Sequence, residues 1–286
     1  MVDPATVPTF SLPAPVTAGG APDVTEAGTG IPAVGLGVYK VDDDGAEAAV
    51  RAALDAGYRH VDTAEMYGNE SGVGRALRGR DDVFVTTKVW NDHHGRDATL
   101  RAFDASAARL GRDVVDLYLI HWPAAAADRY VETWRALVEL RDAGRVRHVG
   151  VSNFQVPHLE RLVAETGEVP ELNQVERHPW LPQHELVAVH AEHGIRTAAW
   201  SPLGRGRLVD DPVLARVAER HDVSVAQVLV RWNVQQGVVV LPKSVTPSRI
   251  ATNVDVAGFS LDDADLAAIA GLENGQRTGS HPDRVS

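Results

Sequence analysis

Four polar residues fall at or near the carboxyl ends of successive strand-like runs. Asp62 and Tyr67 follow the first apolar residues of the run 60–63, Lys88 closes the run 83–88, and His121 closes the run 115–121. In a parallel barrel such strand ends converge on one face, so the four side chains can meet there. A free tyrosine, with a pKa of about 10, is a poor acid at neutral pH. A lysine ammonium beside it favours the phenolate and lowers that value. An aspartate paired with the lysine fixes it and keeps it charged, and a histidine in reach orients a carbonyl or relays a proton. The chemistry this group suits is protonation of an alkoxide that develops as hydride reaches a carbonyl carbon. Taken singly, Tyr67 reads as a packed aromatic, and Lys88 and His121 as ordinary strand ends. The pattern alone leaves a catalytic group and an unremarkable set of strand-end residues both open.

The elements that must position these residues alternate. Strand candidates cover 34–38, 60–63, 83–88, 115–121, 148–152, 171–175, 196–201 and 238–242. Helix-like segments lie between them, over 45–56, 69–77, 97–110, 129–143, 156–164, 182–192, 211–221 and 224–236. Gly57, Gly111, Gly144 and Gly194 stand where a glycine ends a helix. Alternating strands and helices imply βαβ units and a parallel sheet. Eight such strands in one domain spanning 1–286 predict an α/β fold of the (β/α)8 TIM-barrel type. A doubly wound open sheet is the alternative, weakened because no G-x-G-x-x-G turn follows the first strand. Within 1–30, an irregular N-terminal segment, residues 7–12 are expected to give one strand of a hairpin capping the barrel bottom, and 13–29 a loose loop at that bottom. A last helix over 261–270 precedes a Gly-rich tail, 271–286, expected to fold over the top face.

Bulk properties narrow the partners. The chain has 286 residues, enough to bury roughly three quarters of its unfolded surface. A net charge of −11 speaks against nucleic acid and anionic membranes as partners. There is no cysteine, which rules out disulfides and thiolate metal sites and suits a reducing cytosol. The start Met1-Val2-Asp3-Pro4 lacks a signal-peptide pattern, and no apolar run approaches the ~18 residues that span a bilayer. A cytoplasmic protein is expected. Asn91-Asp92-His93-His94 has the composition of a metal cluster, but adjacent side chains seldom point the same way and no further ligands are evident. No metal site is assigned.

The motifs GYRHVDTA (57–64), TTKVW (86–90), DLYLIHWP (116–123), GVSNF (150–154), NQVE (173–176) and LPKS (241–244) resemble the aldo-keto reductase family, most nearly its bacterial 2,5-diketo-D-gluconic acid reductases. The resemblance runs from about Ile31 to the C-terminus. It implies the barrel, NADPH/NADP+ as cofactor, and a catalytic tetrad of Asp62, Tyr67, Lys88 and His121. It puts the nicotinamide carboxamide against Ser152, Asn153 and Gln174, with the indole of Trp200 stacked on the ring. It implies that Ser201, Leu203, Gly204 and Arg205 belong to a pyrophosphate segment, where glycines allow close backbone approach. Lys243, Ser244, Val245, Thr246 and Arg249 resemble a site for the adenosine 2′-phosphate, with Asn253 beside the adenine. Two cations suit a dianionic phosphate. Tyr39, Trp90, Trp122 and Phe154 correspond to substrate-pocket walls, and the hydroxyl of Tyr39 adds a hydrogen-bonding group. The implied activity is NADPH-dependent reduction of a small aldehyde or ketone, with keto-sugar acids and dicarbonyls among the candidates. A nucleotide-binding regulatory barrel with little turnover is the alternative, and the intact tetrad argues against it. A metal-dependent hydrolase would need clustered His and Asp at strand ends. A monomer is the expected state.

Overall fold

A computed structural model describes residue 3, residues 6–12 and residues 30–286. The segment 13–29 lies outside the described residues. The chain enters through an antiparallel hairpin, β1 (Thr9–Ser11) and β2 (Gly30–Pro32), with Phe10 opposite Ile31. It then alternates through β3 (Leu36–Gly37), α1 (Asp43–Ala56), β4 (His60–Asp62), α2 (Glu70–Ala76), β5 (Phe84–Val89), α3 (Arg96–Leu110), β6 (Val115–Ile120) and α4 (Tyr130–Asp142). The second half continues with β7 (Val146–Ser152), α5 (Val156–Thr166), β8 (Leu172–Glu176), α6 (His184–Glu192), β9 (Arg196–Trp200), α7 (Pro212–Arg220), α8 (Val225–Gln235), β10 (Val239–Leu241), α9 (Pro247–Val254) and α10 (Asp263–Ala270). Strands β3 to β10 lie side by side in sequence order and run parallel. Parallel bridges from Val34 to Val240 and from Gly37 to Lys243 close the sheet into the predicted barrel.

Side-chain alternation sorts each strand into an inner and an outer set. Phe84, Leu117, Leu119, Leu172, Ala198, Val239 and Leu241 form one buried cluster, the barrel interior. Leu12, Ile31 and Phe10 join it, so the hairpin plugs the amino-terminal end of the barrel as expected. The alternate residues Val85, Val89, Tyr118, Ile120, Val149 and Val151 pack outward, in one cluster with Phe103, Trp134 and Leu137 of the surrounding helices. Counting inward positions upward from this apolar floor along β4 to β9 reaches Asp62, Lys88, His121, Ser152, Gln174 and Trp200 at the carboxyl ends. The frame therefore turns a period of two into a polar ceiling.

Local signals explain the helix ends. Asp42 accepts from Gly45 N at 2.8 Å to open α1, and Ser224 forms a reciprocal cap with Gln227 to open α8. Gly57 and Gly111 adopt φ of 105° and 65°, as their predicted role requires. Two elements differ from expectation. The first barrel strand keeps two residues of the predicted 34–38 as a continuous strand, because here the backbone divides its bonds between both neighbours, Gly35 N donating to Val240 O and Val38 N to Asp62 O. Helix α9 has no counterpart among the predicted helices; Pro247 starts it, and Ile250, Asn253 and Val254 supply its buried face.

Candidate active site

The buried charge pair sets the geometry. Lys88 Nζ lies 2.6 Å from Asp62 Oδ1 and donates to the Thr63 carbonyl at 2.8 Å. Lys88 is fully buried and Asp62 is 4% exposed. The second carboxylate oxygen accepts from Gln174 Nε2 at 2.7 Å. Asp62 is thus bonded to the neighbouring strand through one oxygen and across the barrel through the other, which fixes the lysine in the ceiling. Burial lowers the Lys88 pKa from its usual value, and Asp62 pulls it back toward the charged form.

Tyr67 sits in the short 3₁₀ turn Glu65–Tyr67 that follows β4. Its ring centroid is 5.3 Å from Lys88 Nζ, 5.6 Å from the His121 ring and 5.1 Å from the Tyr39 ring. The structure thus brings Asp62, Tyr67, Lys88 and His121 together. It corrects the expected titration of the phenol. Desolvation, then the negative charge of Asp62 and the neighbouring Tyr39, hold the Tyr67 pKa well above its usual value. Tyr67 therefore holds its proton at neutral pH. His121 is buried, and burial followed by the Lys88 charge pushes its pKa well below the usual value, so it is neutral. Its Nδ1 has no hydrogen-bond partner among the described residues.

Aromatic rings wall the space above. Trp90 meets His121 edge-on at 5.2 Å, Trp122 stacks along it at 6.4 Å, and Trp122 meets Trp200 at 6.5 Å. Tyr39 is 39% exposed against Tyr67. Phe154 departs from the predicted pocket. It is fully buried and packs edge-on against Tyr130 and His158, beneath α4 and α5. The reason is local: Asn153 has φ 65°, and this left-handed residue turns the next side chain away from the barrel mouth.

The predicted carboxamide residues are present but engaged with one another. Ser152 Oγ donates to the Gln174 carbonyl at 2.8 Å. Asn153 Nδ2 donates to the His121 carbonyl at 2.9 Å and to Ser152 Oγ at 3.1 Å, and Asn153 Oδ1 accepts from Trp200 Nε1 at 2.8 Å. Beyond Trp200 the chain bends through Ser201 (φ 50°) and a short turn, Gly204–Gly206, that holds Arg205 at φ 55°. Leu203 is half-buried and Gly204 buried. Lys243, Val245, Thr246 and Arg249 are exposed, Ser244 is buried, and Ser244 Oγ accepts from Thr246 N at 3.1 Å. Asn253 lies on the buried face of α9, one turn after Arg249.

Several contacts of this site have no sequence signal. Glu65 accepts from Trp90 N at 3.0 Å and pairs with His93 at 2.7 Å, tying the turn that carries Tyr67 to the loop after β5. Ser286 O accepts from Asn91 Nδ2 at 3.1 Å, and Glu176 accepts from Thr278 N at 2.6 Å, so the tail crosses the top face as expected.

The model of the aldo/keto reductase family matches residues 28–274. An aldo-keto reductase of Mycolicibacterium smegmatis is 54% identical over 259 residues, covering 89% of this chain and 94% of the relative. Methylglyoxal reductase DkgA of Escherichia coli K12 is 45% identical over 263 residues, covering 90% and 95%. Among solved structures, the NADPH complex of a Gox0644 mutant superposes with a TM-score of 0.89 at 45% identity, covering 96% of this chain and 99% of that one. The closed parallel barrel, the charged pair at its ceiling and these likenesses over nearly the whole chain agree: this protein belongs to the aldo/keto reductase family of oxidoreductases.

Proposed function

We propose that the protein reduces a small aldehyde or ketone to an alcohol, with NADPH as cofactor and Tyr67 as general acid. The carrying observation is the buried Asp62–Lys88 pair with the Tyr67 and His121 rings gathered beside it. The donor set suits NADPH. Lys243 and Arg249 are exposed cations with no carboxylate partner among the described residues, as a dianionic phosphate needs. Ser152, Asn153 and Gln174 would hold a carboxamide, and Trp200 offers a ring face. When bound, NADPH supplies the hydride. The likeness to DkgA, a methylglyoxal reductase, supports a small dicarbonyl as substrate, and the aromatic walls Trp90, Trp122 and Tyr39 suit a compact one.

In this reading the substrate carbonyl oxygen lies between the Tyr67 hydroxyl and His121. Neutral His121 orients that oxygen without protonating it. As negative charge gathers there, Tyr67 gives up its proton, and the Lys88 ammonium stabilises the phenolate that forms. Asp62 keeps Lys88 in place through the cycle. Tyr67→Phe should lower kcat with methylglyoxal by about 10²–10⁴-fold, the usual contribution of a general acid. Its dissociation constant for NADPH should stay within a factor of about two, since the substitution removes one hydroxyl. Near-normal turnover of this variant would remove Tyr67 as the acid.

A further inference from the structure

Glu176 ends β8 pointing inward, one inward position above Gln174, and is 1% exposed. Its shortest contacts are to neutral groups. They are hydrogen-bond donors of the tail: Thr278 N and Thr278 Oγ1, each at 2.6 Å, and Gly279 N at 3.1 Å and 3.3 Å to its two oxygens. His178 Nε2 adds a contact at 3.1 Å, and the Arg277 guanidinium stands further off at 3.8 Å. A carboxylate removed from water needs such donors. Here they come from a segment about a hundred residues away.

What the tail then touches gives the arrangement a role. Glu176 and Trp200 are register partners on neighbouring strands. A Cβ on Gly279 would lie 2.4 Å from Trp200 Cη2 and 3.0 Å from Cζ3, so the tail backbone abuts the benzo edge of the indole and admits no side chain there. The opposite edge donates through Nε1 to Asn153. The indole is clamped at both ends, and the Gly279 end stands where it does because Glu176 accepts its N–H.

We infer that Glu176 is a positioning residue for the cofactor-binding face of Trp200, acting through residues 278–279 of the tail. The inference rests on the proposed reading that Trp200 meets the nicotinamide. Glu176→Gln keeps the shape but turns one acceptor oxygen into a donor facing donors. It should weaken NADPH binding, read by quenching of tryptophan fluorescence, by about tenfold, the scale of one lost charge-assisted anchor. Turnover at saturating NADPH should stay within about threefold, because the reacting groups are untouched. In a Trp200→Ala background Glu176→Gln should have no further effect on NADPH affinity. If Trp200→Ala itself leaves NADPH affinity unchanged, the cofactor reading fails. If Trp200→Ala weakens binding but Glu176→Gln does not, or does so equally in both backgrounds, the positioning role alone is overturned. Should Glu176→Gln fail to fold, Gly279→Ala keeps the Glu176 carboxylate and presses a methyl against the Trp200 edge, which must shift to admit it. It should weaken NADPH binding in protein that circular dichroism shows to be folded, and unaltered affinity in that variant would overturn the inference.

Discussion

Replacing Lys88 by methionine tests the central pair in both stability and chemistry. Unit charges 2.6 Å apart attract by about 6 kcal/mol at an effective dielectric of about 20. Desolvating two buried ions offsets much of that. Lys88→Met leaves Asp62 buried with the Gln174 amide and without its cation, and leaves the Thr63 carbonyl without its donor. Stranding one buried charge in this way should lower the unfolding free energy by about 3–5 kcal/mol. Asp62→Asn combined with Lys88→Met removes both charges and keeps an acceptor for Gln174, so it should recover most of that loss. Activity should not return, because Tyr67 no longer has a cation to receive its phenolate; both variants should fall by at least about 10²-fold. Urea unfolding followed by circular dichroism gives the stabilities, and NADPH oxidation with methylglyoxal gives the rates. A Lys88→Met protein within about 1 kcal/mol of the parent, or a double variant no more stable than the single, would refute the reasoning that a stranded buried charge sets the cost.

Acid should destabilise the protein through its buried histidines, His60, His94 and His190 along with His121. Burial lowers the pKa of His60, His94 and His190 to about 4. Their folded values lie below the unfolded value of about 6.5, so their contribution is complete above that pH and is lost as pH falls toward 4, at about 3 kcal/mol apiece. Urea midpoints that stay flat between pH of about 6.5 and 4.5 would contradict this. Arg249→Ala should raise the KM for NADPH several-fold, by an amount that shrinks with added salt because the site is exposed, with little change for NADH; an unchanged KM for NADPH would remove Arg249 from the phosphate site. Phe154→Ala should cost about 3–5 kcal/mol of stability as a core truncation and leave the KM for the carbonyl substrate unchanged. A shift in that KM without loss of stability would return Phe154 to the pocket wall.

The barrel was legible because its signals are local and repeated. The run 83–88 opens apolar on both faces, as a strand of a parallel barrel does, and places Lys88 at its carboxyl end before any contact is known. That Asp62, Tyr67, Lys88 and His121 share one face was legible for the same reason, since each lies at or just after a strand end and the topology gathers strand ends; their reading as a tetrad came from the family resemblance. What was hidden depends on pairings far apart in sequence. No local pattern tells that Gln174 reaches Asp62 or that Glu176 holds Thr278. Phe154 was misplaced because its direction hangs on one backbone angle, that of Asn153. The direction of the Tyr67 titration depends first on how fully the phenol is withdrawn from water and then on the charge of Asp62 beside it, neither of which a local pattern carries.

The same inward pattern that gathers the site also constrains how it can bind. Ser152, Asn153 and Gln174 are all bonded already, to the Gln174 carbonyl, to His121 and Trp200, and to Asp62. A carboxamide arriving among them exchanges hydrogen bonds rather than completing unsatisfied ones, and an exchange is worth only about 1 kcal/mol net. These three residues can therefore orient a nicotinamide more effectively than they can hold it. In the proposed reading affinity comes instead from the exposed Lys243 and Arg249, which lack a carboxylate partner among the described residues, and from the face of Trp200 clamped between Asn153 and Gly279. On this division, changes at the cation pair should appear in cofactor affinity, whereas changes at Asn153 should appear in turnover, because a misoriented ring is bound but badly aimed.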